Sequence, residues 1–498
     1  MRHGANTRRR TGTVAAGVIT ALAAIGWAAV YRTYWGQQDV DGTLVIYLVI
    51  AAVLIFSLGA SAAPRTFHHL PAARGRVVCI IPSFNENQTA LDETLWSILG
   101  GTIVPDQIHV VDDGSATPVV PWQHPRIVWH RQANAGKRHA QALVLEQLRA
   151  ARAAGEHPAD FILTIDSDCT VDRFAVQHLL RAMSDQRVQA ATGLPILRNR
   201  TTNWITRITD LEMVAACLTL RAARSRLGVV APCSGALSLY RADLVLDNLD
   251  DYVTSGTAGD DRRLTHYALL RGHAVAVDDA VVATEMPDTL RAVYRQRVRW
   301  FKSYWRYAPW EIAHLPSLPV WWRTYALVMS VVVPIALIWV FAIAPVTGHG
   351  VQWQGLAYWA GLSWISTAKY GTSRPDAPAL SRWITWAIGT PLLMLLQVFL
   401  LRPAQAVALL QARTEHWNNT RGTAAALPAP EPLLALPAAT PDSGPDSAEL
   451  WLADLHEDAR PQPGRHRAAA PAAAAEPPPT FNTDPHVLGQ VLEGLRRL

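Results

Sequence analysis

Long apolar runs near both ends of the chain, with none in a wide central region, constrain the fold more than any other feature. Two runs lie at about 14–30 and 44–58, and three more at about 320–346, 353–368 and 383–410. Most approach or exceed the roughly 20 residues that a helix needs to cross a bilayer. Half of all residues are hydrophobic and 17% are charged, which is too polar for a pure bundle of spans. The sequence therefore predicts transmembrane helices attached to a soluble domain.

Cations beside the apolar runs predict how the chain is oriented in the membrane. Arginines precede the first run and follow the second, and these are Arg8, Arg9, Arg10, Arg65, Arg74 and Arg76. Because cytoplasmic flanks carry the excess of Arg and Lys, residues 1–63 are expected to form a hairpin with both outer flanks in the cytoplasm. The segment 369–382 carries three cations and is expected to be a cytoplasmic loop. A cleaved signal peptide is the alternative for the first run, but the second run follows it closely. We expect a multi-pass plasma-membrane protein.

The same pattern divides the rest of the chain. Residues 64–318 contain no run long enough to span and are expected to form a cytoplasmic domain. A mixture of aromatic and cationic residues predicts an interfacial helix near 288–315, because both residue types favour the membrane surface. A second interfacial helix is expected near 202–226. Residues 319–411 are the expected C-terminal transmembrane region. Residues 424–498 are rich in Ala and Pro and poor in aromatics, which predicts a disordered tail.

The four cysteines are scattered, and they are Cys79, Cys169, Cys217 and Cys233. No C-x-x-C pair occurs, so the sequence indicates neither a zinc site nor a disulfide framework. We expect free thiols in a reducing compartment.

Three short apolar runs in the cytoplasmic region each end in polar or acidic residues. They are predicted strands at 77–81, 108–111 and 161–165, with helical segments between them. This order is typical of a doubly wound α/β domain, in which ligands bind along the carboxyl edge of the sheet. Asp112 and Asp113 follow the second strand, and Asp166 and Asp168 follow the third. Because carboxylate oxygens suit Mg²⁺ or Mn²⁺, this edge is expected to bind a metal-bridged, phosphate-bearing ligand.

Two helix starts add charged groups to this edge. The string ANAGKRHA places Lys137 at a helix start, which suits contact with a diphosphate. The string GDDRRLT places Asp260 and Asp261 at another. A carboxylate there is stabilised by the helix dipole, which is one explanation. The other is that Asp261 is a general base that takes a proton from an acceptor hydroxyl.

Seven strings carry a family resemblance by their order and spacing. They are PSFNEN, VDDGS, AGKRHA, DSD, CSGALSLYR, GDDRRLT and QRVRWFKSYWR. Together they resemble glycosyltransferase family 2 with a nucleotide-sugar-binding core of the GT-A type, from Pro82 through Trp300 and more loosely through Arg421. Within that family the chain is similar to the membrane-embedded processive synthases of the hyaluronan synthase and chitin-oligosaccharide synthase group. The resemblance implies an α/β GT-A (Rossmann-like) cytoplasmic domain joined to an α-helical transmembrane region.

The resemblance also implies roles for individual residues. The donor-binding set is Pro82, Asn85, Glu86, Asp112, Asp113, Lys137, Asp166, Arg299, Trp417 and Arg421. The acceptor set is Cys233, Ser234, Gly235, Gln296 and Trp300. Asp166 and Asp168 are implied to hold Mg²⁺ or Mn²⁺, and Asp261 is the implied catalytic base. Residues 412–423, which include WNNTR, are the implied loop that closes over the nucleotide.

Three departures from the family pattern bear on the closing loop and on the sugar. WNNTR stands where the family has W-G-T-R, Ala236 follows CSG where the family has Pro, and Leu194 and Pro195 replace a common Asp-Val.

The expected function is inverting, metal-dependent and processive polymerisation from a UDP-sugar into a β-linked polysaccharide that crosses the bilayer. The alternatives are a non-processive transferase acting on a lipid acceptor, a cellulose- or chitin-type synthase, and a non-catalytic membrane scaffold. The expected partners are the donor, the growing chain and the lipid bilayer, with no nucleic acid and no obligate protein partner.

Overall fold

The computed structural model describes most of the chain, and the described residues are 42–62, 65–256, 259–348, 350 and 353–412. The first apolar run at 14–30 lies outside them. The loop that is expected to close over the nucleotide, beyond residue 412 and with Trp417 and Arg421, also lies outside them, as does the tail 424–498.

An eight-stranded mixed sheet organises the domain between the two sets of apolar helices, with the order β3-β2-β1-β4-β7-β6-β8-β5. The strands are β1 (Val77–Ser83), β2 (Gln107–Asp112), β3 (Ile127–Arg131), β4 (Phe161–Thr164), β5 (Thr170–Val171), β6 (Val188–Leu197), β7 (Ser238–Arg241) and β8 (His273–Thr284). Strands β3, β2, β1 and β4 are parallel, and β7 is antiparallel to both of its neighbours. The three strands that the sequence predicts are β1, β2 and β4.

Both faces of the sheet are covered, which explains why its strands read as continuous apolar runs. All seven residues of β1 are buried. Val78 and Ile80 pack into the cluster on one face, and Cys79 and Ile81 into the cluster on the other. The alternation follows from the two-residue period of a strand. The expected α/β fold class is confirmed.

Helices cover the sheet and lead into the membrane region. The helices between β1 and the C-terminal apolar helices are α2 (Gln88–Leu99), α3 (Lys137–Ala153), α4 (Ala175–Met183), α5 (Trp204–Ala216), α6 (Ala222–Leu227), α7 (Ala242–Leu246), α8 (Leu249–Thr254), α9 (Asp260–Arg271) and α10 (Leu290–His314). A π-helical turn, Cys217–Arg221, joins α5 to α6. Helices α5 and α6 lie at the expected interfacial region near 202–226, and α10 lies at the one near 288–315.

The remaining helices coincide with the other apolar runs. They are α1 (Gly42–Ala62), α11 (Ser317–Ile338), α12 (Ala344–Val346), α13 (Trp353–Ser373), α14 (Ala379–Leu396) and α15 (Arg402–Leu410). Within the described residues, two continuous helical segments are long and apolar enough to cross a bilayer, Ser317–Val346 and Ala379–Leu410. The expected start of a cytoplasmic loop at Lys369 is wrong, because α13 continues to Ser373. The Lys369 ammonium, on α13, donates to the Ser61 carbonyl at the end of α1 (2.6 Å). This bond gives a cation inside α13 a hydrogen-bond partner on a neighbouring helix.

Candidate active site

A compact cluster of opposite charges lies where α3 and α9 begin. The Lys137 ammonium lies 2.6 Å from Asp166 Oδ1 and 3.1 Å from Asp260 Oδ2. Lys137 is the first residue of α3, Asp166 follows β4, and Asp260 is the first residue of α9. Burial disfavours the charged ammonium, but Asp166 and Asp260 outweigh it and hold the pKa of Lys137 well above its usual value. The cluster therefore carries a fixed cation between two acidic motifs.

The loop that contains Gly235 lies directly on this ion pair. A Cβ at Gly235 would be 2.9 Å from Lys137 Nζ and 3.3 Å from Asp166 Oδ2. A side chain at this position would press on the Lys137 ammonium and shift it, because the ammonium is the mobile end of a long side chain. The Cys233–Gly235 segment, expected in the acceptor set, thus lies beside the expected donor groups.

Two threonines hold the Cys233–Gly235 segment in place. The Cys233 N–H donates to Thr265 Oγ1 (2.9 Å), and the Ser234 N–H donates to Thr192 Oγ1 (2.8 Å). The Thr265 hydroxyl donates in turn to the Asp261 carbonyl (2.7 Å). One side chain of α9 therefore links the expected acceptor segment to the expected base.

The two acidic residues of GDD have opposite electrostatic environments. Burial, and next the adjacent Asp260 carboxylate, raise the pKa of Asp261 to about 6, against the opposing effects of Lys137 and Arg262. Burial also disfavours ionised Asp260, but Lys137 and Arg138 outweigh it and lower the pKa of that carboxyl. Pairs of carboxylates whose pKa values are pushed apart are typical of acid–base sites. At neutral pH Asp261 is ionised and more basic than an ordinary Asp, which suits proton abstraction.

Asp113 supports the turn that presents Lys137. Its Oδ1 accepts from Gln132 Nε2 (2.7 Å) and the Ala135 N–H (3.0 Å), and its Oδ2 accepts from the Gly136 N–H (2.8 Å). Burial raises the pKa of this carboxyl in spite of these bonds. Both oxygens are engaged by protein donors, so Asp113 shapes the 132–136 turn. Its expected contact with uridine stays a prediction.

The turn after β1 is joined to the turn after β2. Pro82 is buried within β1. The Asn85 N–H donates to Ser115 Oγ (2.8 Å), and Asn85 Oδ1 accepts from the Ala116 N–H (2.8 Å). The buried Asp112 accepts from the Ser115 N–H (2.9 Å). These bonds gather the expected nucleotide-binding residues at one edge of the sheet.

The same edge carries the D-x-D pair. Glu86 Oε2 accepts from Ser167 Oγ (2.8 Å), which ties the β1 turn to the middle residue of this motif. Asp166 and Asp168 flank it, and the Asp166 side chain is 37% exposed. Among the described residues no group of three or more His, Cys, Asp or Glu side chains could hold a metal ion. Two carboxylates instead fit a Mg²⁺-type ion that takes its other ligands from a phosphate and water.

Helix α10 brings the Q-x-x-R-W motif to the start of α9. Thr289 caps this helix, its hydroxyl accepting from the Ala292 N–H (3.3 Å). Gln296 is buried, and its amide donates to Met286 Sδ (3.3 Å). Trp300 is 39% exposed. One turn later, Ser303 lies so close to Gly259 that a Cβ there would be 2.8 Å from Ser303 Cβ.

The helical turn that follows Trp300 therefore packs against Gly259, the first residue of GDD. Arg299 is half-buried beside Trp300 on α10.

Glu311 was missed by the sequence reasoning. It is 2% exposed and accepts from Arg262 (3.0 Å) and His266 (2.8 Å) of α9, and it also pairs with Arg323 of α11. Burial opposes its ionisation, but Arg262 and its other partners lower its pKa to about 2. Burial lowers the pKa of His266 to about 4, so His266 is neutral at pH 7. Helix α10 has a single acidic residue among six cations. That lone acidic residue was the sequence signal that could have identified Glu311.

The structure also adds Asp260, which sequence reasoning treated only as a helix-start residue. Its signal was its place beside Asp261 in GDD. Its contact with Lys137 joins residues 123 positions apart in sequence. A single sequence does not encode such a pairing in any local pattern.

Comparisons with known proteins agree with this architecture. A family model described as glycosyltransferase like family 2 matches residues 74–303. A hyaluronan synthase from Streptococcus pyogenes is 31% identical over 406 residues, which cover 76% of this chain and 91% of that protein. The chain belongs to glycosyltransferase family 2. An N-acetylglucosaminyltransferase from Rhizobium leguminosarum bv. viciae is 31% identical over 364 residues, covering 70% of this family 2 chain and 82% of that protein.

A search of solved structures matches the chain to a mannosyltransferase from Pyrobaculum calidifontis in complex with GDP-Man and Mn²⁺. It is 18% identical with a TM-score of 0.43, covering 80% of this glycosyltransferase and 99% of that chain. The expected family and enzyme class are confirmed, while the roles of the individual site residues stay predictions.

Proposed function

We propose that this glycosyltransferase is an inverting, metal-dependent, processive synthase that builds a β-linked polysaccharide from UDP-sugars and moves it across the membrane. The observation that carries the proposal is the charge cluster at the sheet edge. Lys137 lies between Asp166 of the D-x-D pair and Asp260 of GDD (2.6 and 3.1 Å). The expected diphosphate, metal and base groups thus share one small volume.

The residues of the chain divide the chemistry between them. Asp261 takes the proton of the acceptor hydroxyl, whose oxygen then attacks the anomeric carbon of the donor. The bond from that carbon to the β-phosphate oxygen breaks, and its electron pair leaves with UDP. A single in-line displacement inverts the anomeric carbon, so an α-linked donor gives a β-linked product. Lys137 and Arg299 supply positive charge to the departing diphosphate.

Asp166 and Asp168 would hold a Mg²⁺ or Mn²⁺ ion, which supplies further charge neutralisation to the diphosphate. Lys137 occupies part of this role in the structure, because its ammonium already neutralises Asp166. When a diphosphate and its metal ion bind, we therefore expect the Lys137 ammonium to give up part of its contact with Asp166 and to contact the diphosphate.

Processivity is supported by the position of α10. Its Trp300 turn packs on the start of α9, and its Glu311 pairs with Arg323 of the first C-terminal span. The acceptor side of the site thus continues directly into a membrane helix. The similar proteins include a hyaluronan synthase and an N-acetylglucosaminyltransferase, so we propose amino-sugar-containing polymers as the product class.

The test is incubation of the purified protein in lipid nanodiscs with single radiolabelled UDP-sugars and with pairs of them, in Mn²⁺ or Mg²⁺ and in chelator. Hyaluronidase, chitinase and cellulase digestion identifies the product. We expect a long polymer that forms only with a divalent ion and is absent from Asp261→Asn. Transfer of a single sugar to a lipid would establish the non-processive alternative, and no transfer with any donor would refute the proposal.

A further inference from the structure

The indole of Trp300 is stacked on a buried cation. The Arg297 guanidinium carbon lies 4.3 Å from the ring centroid of Trp300. Arg297 is 3% exposed, whereas Trp300 is 39% exposed. A cation over an aromatic face is attracted by the ring quadrupole. One face of the indole is therefore fixed to the protein, while part of the ring remains accessible.

Arg297 is held in turn by an acidic residue of the interfacial helix α5. Its Nη2 donates to Glu212 Oε2 at 2.6 Å, and the side chains are 4% and 24% exposed. A short, largely buried pair of this kind restricts the guanidinium far more than an exposed pair does. The orientation of the indole thus depends on Glu212.

Helix α5 is itself locked to the membrane region two residues before Glu212. Asp210 accepts from Arg374 Nε and Nη2 (3.0 and 3.1 Å) and from the Tyr370 hydroxyl (2.7 Å). The Asp210 and Arg374 side chains are fully buried. Tyr370 belongs to α13, and Arg374 is the first residue after that helix. A series of ion pairs therefore connects a membrane helix, through α5, to the ring of Trp300.

We propose that Glu212 and Arg297 are positioning residues that hold Trp300 as the stacking platform for the terminal sugar of the growing chain. The proposal rests on the proposed polymerase function and deepens it. A sugar ring stacks on an indole only when the ring plane is presented correctly, and a free indole on a helix surface samples several rotamers. The contact with Arg297 favours one rotamer of Trp300. Helix α5, which binds both Arg297 and the membrane region, fixes the position of that rotamer relative to the membrane helices.

The experiment compares Glu212→Gln with the full-length wild-type protein in nanodiscs. Asp185→Asn is the matched control, because Asp185 forms a similarly half-buried pair with Arg65 (2.7 Å; 17% and 15% exposed) away from the site. Three quantities are measured: UDP affinity, slow donor hydrolysis without acceptor, and the rate and length of elongation. We expect Glu212→Gln to lower the elongation rate on the order of tenfold or more and to shorten the polymer. UDP affinity and donor hydrolysis should stay within about twofold of wild type, a difference of about 0.4 kcal/mol or less.

Arg297 gives a second pair of variants with a different readout. Arg297→Lys keeps a cation that can reach Glu212 and lie over the ring, so it should retain part of the elongation rate. Arg297→Met keeps the apolar stem but not the charge, so it should behave like Glu212→Gln.

Three outcomes would overturn the positioning role. Elongation by Glu212→Gln equal to that of Asp185→Asn would do so. A parallel loss of UDP affinity would do so as well, because it would indicate a purely structural tie. Equal loss in the Arg297→Lys and Arg297→Met variants would show that the cation is irrelevant. Absence of polymer from the wild type would instead count against the proposed function, so the two failures are distinguishable.

Discussion

Replacement of Asp261 by Asn should abolish transfer and yet stabilise the protein at neutral pH. Burial and the neighbouring Asp260 raise the pKa of Asp261 from 3.8 to about 6. The ionised base is therefore held in an environment that favours its protonated form. A neutral amide of nearly the same shape avoids the free-energy cost of a buried negative charge. Asp261 would thus be a residue that lowers the stability of the fold for the sake of activity.

The magnitude follows from linkage between proton binding and folding. Each pKa unit corresponds to about 1.4 kcal/mol, so a rise of roughly two units costs the folded state up to about 3 kcal/mol when Asp261 is fully ionised. The native state binds the proton more tightly than the unfolded state. Stability from this group is therefore fully present below about pH 4 and is lost as the pH rises through about 6. The advantage of Asp261→Asn should be absent near pH 4, grow as the pH rises toward 6 and be complete above it.

Thermal unfolding of the two proteins in identical nanodiscs, followed across pH 4 to 8 by intrinsic fluorescence, measures this difference. Asp250→Asn is the control, because Asp250 is an 86% exposed carboxylate paired with Arg149 on the surface, where a pair contributes about 1 kcal/mol or less. The reasoning is refuted if Asp261→Asn is less stable than wild type at pH 7, or if its advantage is the same at pH 4 as at pH 7.

Three further predictions concern the metal, the acceptor and the loop beside the ion pair. Asp168→Ala should lose Mn²⁺-dependent UDP binding in calorimetry, because the diphosphate would lack its cation, and unchanged metal-dependent affinity would contradict the D-x-D assignment. Trp300→Ala should lose elongation while UDP affinity persists, and Trp300→Phe should keep part of the activity because a smaller flat ring remains; parallel loss of UDP binding would indicate packing instead. Gly235→Ala should lower the transfer rate on the order of tenfold or more, because its Cβ would lie 2.9 Å from Lys137 Nζ and displace it from Asp166, and wild-type rates in that variant would contradict the close approach.

The local parts of the fold could be predicted because their signals are local. The strand β1 is a continuous apolar run followed by a polar turn, and β2 and β4 repeat that pattern. Strand β2 ends at Asp112, and β4 ends two residues before Asp166. A ligand-binding edge at the carboxyl ends of these strands then follows from the doubly wound pattern. Long apolar helices are equally easy to predict from the sequence, since the length of the apolar run alone distinguishes them from buried strands.

The missing parts depend on pairings that are distant in sequence. Strand β6 pairs with β8 in parallel and with β7 antiparallel, and no sequence period distinguishes this mixed arrangement. The partners of Glu311 lie on two other helices, and Asp210 meets Arg374 across 164 positions. Such buried charges are favourable only when a partner is present. An acidic residue within a cationic or largely apolar helix was therefore a sign that a partner exists, without indicating which one.

Processive extension is the central claim, and pulse–chase labelling of the polymer tests it most directly. The purified protein in nanodiscs is allowed to start chains with radiolabelled UDP-sugars and is then diluted into a large excess of unlabelled donor and unlabelled short oligosaccharide acceptor. Retention of the growing chain on the Trp300 side of the site predicts that the labelled chains continue to lengthen and the added oligosaccharides stay short. Labelled chains that stop growing while the added oligosaccharides are extended one sugar at a time would contradict the account.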